Sequence, residues 1–271
     1  MINFIQIDPN GLCNAGCWFC PVSTLGNPKN QINQMDINLF DKIISEIVNL
    51  KGDLINPNLH FIYGSHFNEV LLYRHFESML EILNKNKLTI GILTNGVPLT
   101  PQKIDLINKH QPAVSMIAIN APVYEKRLFL LLLHINGINE NSNITKLKNF
   151  PDLEENEMQK QVAIAKQLFP SIKIYEQWNL IDRAGLLKDV MLNNIPKGEV
   201  IGCSVKRDTE WLHISPKGDV FLCCNDYYME YNYGNLRDKT IKEIWLSKER
   251  DLVNKKAFNS ICKDCSSAII K

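Results

Sequence analysis

Phe4-Ile5-Gln6-Ile7-Asp8, and after a short gap Cys13-Asn14-Ala15-Gly16-Cys17-Trp18-Phe19-Cys20, decide the fold. The first five residues are an apolar-rich strand. The loop behind them carries Gly11, Gly16 and three cysteines. Working outward, Asp36 stands before Leu39, Ile43, Ile44, Ile47 and Val48, a capped apolar stripe that predicts a helix. Strands are expected at 59–63, 88–93 and 114–119, with helical periodicity over 71–83 and again from Pro101 to about 110. The order βαβαβαβ predicts a parallel sheet with right-handed crossovers.

Beyond residue 120 the pattern weakens. The aliphatic run 128–133 and the asparagine-rich stretch after it read as a connection with some helix. Residues 154–168 predict a helix stopped by Pro170, and 172–178 a strand. Pro196-Lys197-Gly198 marks a boundary, giving domains 1–197 and 198–271. Past it, 211–215 and 220–223 flank Pro216-Lys217-Gly218-Asp219 as a hairpin, and 241–255 reads as one helix capped by Thr240.

The 271 residues include 30 basic and 29 acidic ones, a net charge of +1, which argues against a nucleic-acid binder. The run 128–133 is too short to span a bilayer, and Met1 to Asp8 lacks the features of a signal peptide. A cytoplasmic protein without membrane partners is expected. A reducing compartment disfavours disulfides among its eight cysteines. They fall into two groups, Cys13, Cys17 and Cys20 against Cys203, Cys223, Cys224, Cys262 and Cys265, which reads as two metal sites. Three thiolates in a CxxxCxxC loop can hold three irons of a cube and leave the fourth open, whereas a closed electron-transfer cube uses four. A zinc ion would want a fourth ligand nearby.

The loop resembles the core motif of the radical S-adenosylmethionine (SAM) superfamily, with Phe19 as its aromatic. The resemblance implies a partial (β/α)6 TIM-like barrel and a SAM-binding [4Fe–4S] cluster on Cys13, Cys17 and Cys20. It also implies reductive cleavage of SAM to a 5′-deoxyadenosyl radical, driven by a flavodoxin- or ferredoxin-type reductant. Asn68-Glu69-Val70-Leu71-Leu72, behind Gly64, is similar to the family's turn that holds the SAM amino group, with Val70 in place of proline. Asn95 of Thr94-Asn95-Gly96 and Ser115 fall at further cofactor-binding places. His66 reads as a solvated loop histidine.

The C-terminal pattern resembles the SPASM or twitch extension of the same enzymes. It runs from Cys203 through Gly218-x4-Cys223 and Tyr233-Gly234-Asn235 to Ile244-Trp245 and Cys262-x2-Cys265. The likeness implies a small α+β twitch domain with one auxiliary [4Fe–4S] cluster on Cys203, Cys223, Cys262 and Cys265, leaving Cys224 spare. A zinc ion on the same four thiols is the alternative. Asp226 is the implied base, with Asn225 at the neighbouring position and an exposed turn aspartate as the plainer reading. Arg183, in Asp182-Arg183-Ala184-Gly185, binds substrate or makes a surface ion pair. The expected reaction is two-electron oxidation of a small polar molecule, as in members that oxidise an aminocyclitol alcohol. A peptide substrate and a redox-neutral epimerisation are the alternatives. A strand starting at Phe4 leaves no peptide-binding module before it, which favours the small molecule.

Overall fold

The computed structural model describes residues 1–17, 20–26, 33–123, 127–134, 173–177, 183–184, 186–187 and 195–271. Its centre is four parallel strands: β1 (Phe4–Ile7), β2 (Phe61–Tyr63), β3 (Thr89–Thr94) and β4 (Val114–Val123). The connections between them carry helices, as the βα alternation requires. The short α1 (Pro21–Leu25) follows the cysteine loop, and α2 (Ile37–Asn49) starts where the Asp36 side chain accepts from the amides of Asn38 and Leu39. α3 (Phe76–Lys85) and α4 (Pro101–Lys109) supply the next crossovers, α4 with Thr100 as its cap. Leu39, Phe40, Ile43, Ile44 and Ile47 of α2 and Phe76, Met79, Leu80 and Leu83 of α3 are buried in one cluster with Ile5, Ile7, Ile62, Ile90 and Ile92 of the sheet. Burying such stripes drives the layers together at roughly 25 cal/mol per Å² of apolar surface.

Two expectations are corrected past β4. The run 128–133 is not a partly helical connection: it lies in a strand, β5 (Arg127–His134), antiparallel to β4. A short unbroken aliphatic run fits a buried strand and a buried helix equally, so periodicity could not choose. β6 (Lys173–Gln177) then pairs antiparallel with β5, close to its expected position. The expected helix 154–168 lies outside the described residues.

The C-terminal quarter joins the same sheet. β7 (Val200–Cys203) pairs with β11 (Ala268–Ile270) as a separate ribbon. β8 (Trp211–Ile214) lies parallel to β1, with Phe4 opposite Trp211 and Ile7 opposite Ile214. β9 (Asp219–Phe221) and β10 (Asn232–Asn235) continue antiparallel, so the sheet reads β10-β9-β8-β1-β2-β3-β4-β5-β6. It is mixed, parallel at its centre, and among the described residues it does not close into a barrel. The β8–β9 turn needs Gly218, whose φ is +92°. The expected helix 241–255 is two helices, α5 (Ile241–Trp245) with a Thr240–Glu243 capping box and α6 (Lys248–Phe258). The break falls at Ser247, whose hydroxyl accepts from the Arg250 amide and starts a new helix.

Candidate functional site

The cysteine loop leaves β1 at the C-terminal end of the parallel strands, where βα folds place their sites. Glu69 ties that end together. Its amide donates to the Leu12 carbonyl at 2.7 Å, and its own carbonyl accepts from Asn10 Nδ2 at 3.1 Å, so the turn after β2 is fastened to the cysteine loop. Its carboxylate accepts from Leu71 N (3.3 Å), Thr94 Oγ1 (3.0 Å) and Asn95 N (2.8 Å). Asn95 Nδ2 donates to Asn14 Oδ1 at 2.9 Å, inside the CxxxCxxC loop. Burial pushes the Glu69 carboxyl up to about 7 despite these three donors. Burial, and then the Glu69 charge, also raise the Cys13 thiol.

Gly64 is explained by packing. A Cβ there would stand 2.7 Å from Ile90 Cδ1. Ser115 is not brought to this site. Val114 stands opposite Ile90 and Ile119 opposite Thr94, so Ser115 lies roughly 13 Å back along β4, at 3.3 Å per residue. Its hydroxyl is buried without a partner. Phe19 lies outside the described residues.

The second cysteine group is assembled from three separate places. Cys203 ends β7, Cys223 follows β9, and Cys262 and Cys265 flank the turn after α6. All four line one cavity, together with Arg207, Asp208 and Asn225. Asn225 fastens two of them, its amide donating to Cys223 Sγ (3.4 Å) and its Nδ2 to Cys265 Sγ (3.3 Å). Burial pushes Cys262 up to about 12, with Cys265 and Cys203 adding to it. Burial, followed by neighbouring Cys224, holds Cys223 well above the usual thiol range. Such a pocket asks for positive charge before its sulfurs can ionise. Cys224 points elsewhere, accepting from Arg207 Nη1.

Both cysteine groups fit an iron–sulfur cluster. None of the thiols is in a disulfide. A single tetrahedral zinc with bonds near 2.3 Å would draw its sulfurs to roughly 3.8 Å apart. Among the described residues no three of the cysteine sulfurs lie within 4.8 Å of one another.

Asp226 is neither exposed nor unoccupied. Its Oδ1 accepts from Glu230 N and its Oδ2 from Tyr231 N, both at 2.9 Å, and burial raises it to about 6. It lines a cleft of about 260 Å³ with Arg183, Tyr227 and Tyr228. Arg183 holds a left-handed backbone (φ +57°), and its guanidinium lies 5.2 Å from the Phe67 ring centre. Tyr227 bridges the regions, packing edge-on against Phe67 and donating to the Gly26 carbonyl behind the cysteine loop. His66 corrects another expectation: its side chain is fully buried, paired with Asp8 and His213. Sequence reasoning missed Asn10, Asn14 and His213, and it placed Asn225 beside the candidate base, not between two of the cysteines.

Comparison with known proteins agrees with this geometry. Residues 203–266 match the SPASM family model, an iron–sulfur cluster-binding domain. The S-adenosyl-L-methionine-dependent 2-deoxy-scyllo-inosamine dehydrogenase of Niallia circulans is 19% identical over 279 aligned positions, covering 100% of this chain and 95% of that protein. In fold the chain is similar to BtrN in complex with AdoMet and 2-DOIA (TM-score 0.63, 15% identity, 99% of this chain and 93% of that one). It is also similar to SuiB of Streptococcus suis bound to precursor peptide SuiA (TM-score 0.56, 13% identity, 98% and 69%). Among the described residues no helix is long and apolar enough to cross a membrane.

Proposed function

We propose that this chain, which carries a SPASM iron–sulfur cluster-binding domain on the fold of the radical SAM enzymes, is a SAM-dependent oxidoreductase that removes two electrons from a small polar molecule. The observation that carries the reading is the joining of the cysteine loop, Glu69 and Asn95 at one end of β1, β2 and β3. Cys13, Cys17 and Cys20 would hold a [4Fe–4S] cluster with an open iron for SAM. Cys203, Cys223, Cys262 and Cys265 would hold an auxiliary [4Fe–4S] cluster. When bound, the first cluster and SAM supply a one-electron cleavage that yields the hydrogen-abstracting 5′-deoxyadenosyl radical.

The protein's own groups do the rest. Glu69, held by three donors, offers a fixed anion to the SAM ammonium. Asn95 and Gly64 shape the same turn region. Asp226, oriented by two backbone amides and raised toward neutral pH, is placed to take a substrate hydroxyl proton. Arg183, across the cleft, supplies a positive charge for a polar or anionic substituent. A partial (β/α)6 barrel, a domain boundary near residue 198 and a flavodoxin- or ferredoxin-type reductant belong to the same reading. Likeness to SuiB with its precursor peptide supports peptide modification as the second reading.

The test is anaerobic reconstitution with iron and sulfide, then incubation with SAM, dithionite, and either aminocyclitols or candidate peptides. Formation of 5′-deoxyadenosine matched by an oxidised polyol supports the first reading, and a modified peptide the second. No 5′-deoxyadenosine from a fully reconstituted protein would sink both.

A further inference from the structure

The sheet holds a buried chain of ionisable groups that neither cysteine group uses. Asp8 follows β1, His66 follows β2, and His213 lies on β8 in register with Gln6. Asp8 Oδ1 accepts from the His66 amide at 2.7 Å, and Oδ2 stands 3.1 Å from His66 Nδ1. His66 Nε2 is 2.8 Å from His213 Nδ1. Both histidine side chains are fully buried. Trp211 stacks on His213 at 8° and 5.5 Å, and Phe221 packs against both imidazoles.

This geometry fixes where protons can sit. An ionised Asp8 accepts from His66 Nδ1–H, leaving His66 Nε2 as an acceptor. His213 Nδ1–H then donates to it, and His213 Nε2 is left with a bare lone pair. That atom is buried and without a partner. A further proton has one open position, and Asp8 is the counter-charge for the cation it would make. Burial, then His66, then Arg207 hold His213 well below the ordinary imidazole value. Arg207 faces both ways. It lines the four-cysteine cavity, its charge acts on Cys223 as well as His213, and Nη1 donates to Cys224 Sγ. The charged groups around the pair are Asp8 from β1 and Arg207 from the segment behind β7, with Cys224 beyond it. Phe67, Trp211 and Phe221 are neutral.

We propose that the Asp8–His66–His213 chain takes up one proton when the cluster held by Cys203, Cys223, Cys262 and Cys265 accepts one electron. The inference rests on the proposed auxiliary cluster. An added electron offsets the Arg207 charge that repels a proton from His213, and a buried medium screens such terms weakly. The balance is simple. After hydrogen abstraction the substrate radical gives one electron to the cluster and its hydroxyl proton to the base, forming C=O. The reduced cluster is then accompanied by one proton from water at His213 Nε2, and reoxidation releases both. Asp8, His66 and His213 are positioning residues that act through Arg207 and do not touch substrate.

The measurement is a potentiometric titration between pH 6 and 9, followed by electron paramagnetic resonance. It uses reconstituted Cys17→Ala protein, in which the auxiliary cluster is observed alone. Over part of that range the midpoint potential should fall by about 59 mV for each tenfold drop in proton concentration, one proton per electron. Adding His213→Gln should remove the slope. Adding Asp8→Asn, which keeps an acceptor but not the charge, should move the sloping range to lower pH. A flat profile in the Cys17→Ala protein overturns the coupling while leaving the cluster reading intact. An unchanged slope in His213→Gln does the same. If His213→Gln loses iron, an unmoved range in Asp8→Asn overturns it. Absence of any reducible signal in Cys17→Ala takes down the auxiliary-cluster reading and this inference together.

Discussion

The two cysteine groups are built in opposite ways. Cys13, Cys17 and Cys20 come from one loop, half-buried, and are fixed from outside by Glu69 and Asn95. Cys203, Cys223, Cys262 and Cys265 come from distant segments and surround a cavity, with Asn225 holding two of their sulfurs from within. A loop that brings three ligands can leave a coordination position open to a visiting molecule. A cage closed by four ligands serves a group that stays. In the proposed reading, the difference separates a site for chemistry from a site for storing charge.

The sharpest way to break the comparison is Cys17→Ala. It should abolish 5′-deoxyadenosine formation and lose about half of the roughly eight irons expected for two cubes. Residual cleavage would mean that the four-cysteine cage also binds SAM. Next in size is Cys265→Ala, once shown to be folded, since metal binding and folding are coupled in such regions. It should still cleave SAM with dithionite and take labelled hydrogen from substrate carbon. Oxidised product should fall far below the 5′-deoxyadenosine formed, and equal amounts would favour redox-neutral chemistry.

A pH series sharpens the open site. In the proposed reading Glu69 meets the SAM ammonium as an anion, and burial raises its carboxyl to about 7. SAM affinity should therefore rise by up to tenfold per pH unit below about 7 and then level off. Glu69→Gln should weaken binding and flatten the profile in equilibrium dialysis. The sign for folding is the reverse. A raised carboxyl adds stability that is complete below its unfolded value and lost as pH climbs through about 7. The smallest effect tests the cage. Cys224→Ser should keep the full iron content, because that sulfur turns to Arg207, while Cys223→Ser should lose about half. The opposite result would place the ligand one residue later.

What was legible in the sequence was local. The strand before the cysteines, the Asp36 cap, the Thr94-Asn95-Gly96 turn and the hairpin around Gly218 each depend on neighbours a few residues away. The burial of His66 depends on His213, 147 positions later, and no window around either residue contains that information. The misplacement of Ser115 has a similar cause. Pairing with β3 fixes which residue of β4 reaches the level of Thr94, and the register shifts between Ile90 and Gly91. The cage was legible as four cysteines with spacing, and Asn225 as the neighbour of the candidate base, but its grip on two sulfurs was not, because it depends on Cys265, 40 positions later.

The parallel pairing of β1 with β8 bears on how the chain is made. Asn3 and its partner Glu210 are 207 positions apart, so a nascent chain leaving the ribosome carries β1 long before that neighbour exists. Until β8 arrives, one edge of β1 is open to any other strand, a known hazard of slow, non-local sheets. The order of synthesis thus makes the last quarter of the polypeptide the closing piece of its first strand. Translational pausing or truncation before residue 211 would yield a sticky intermediate and not a smaller, self-sufficient protein.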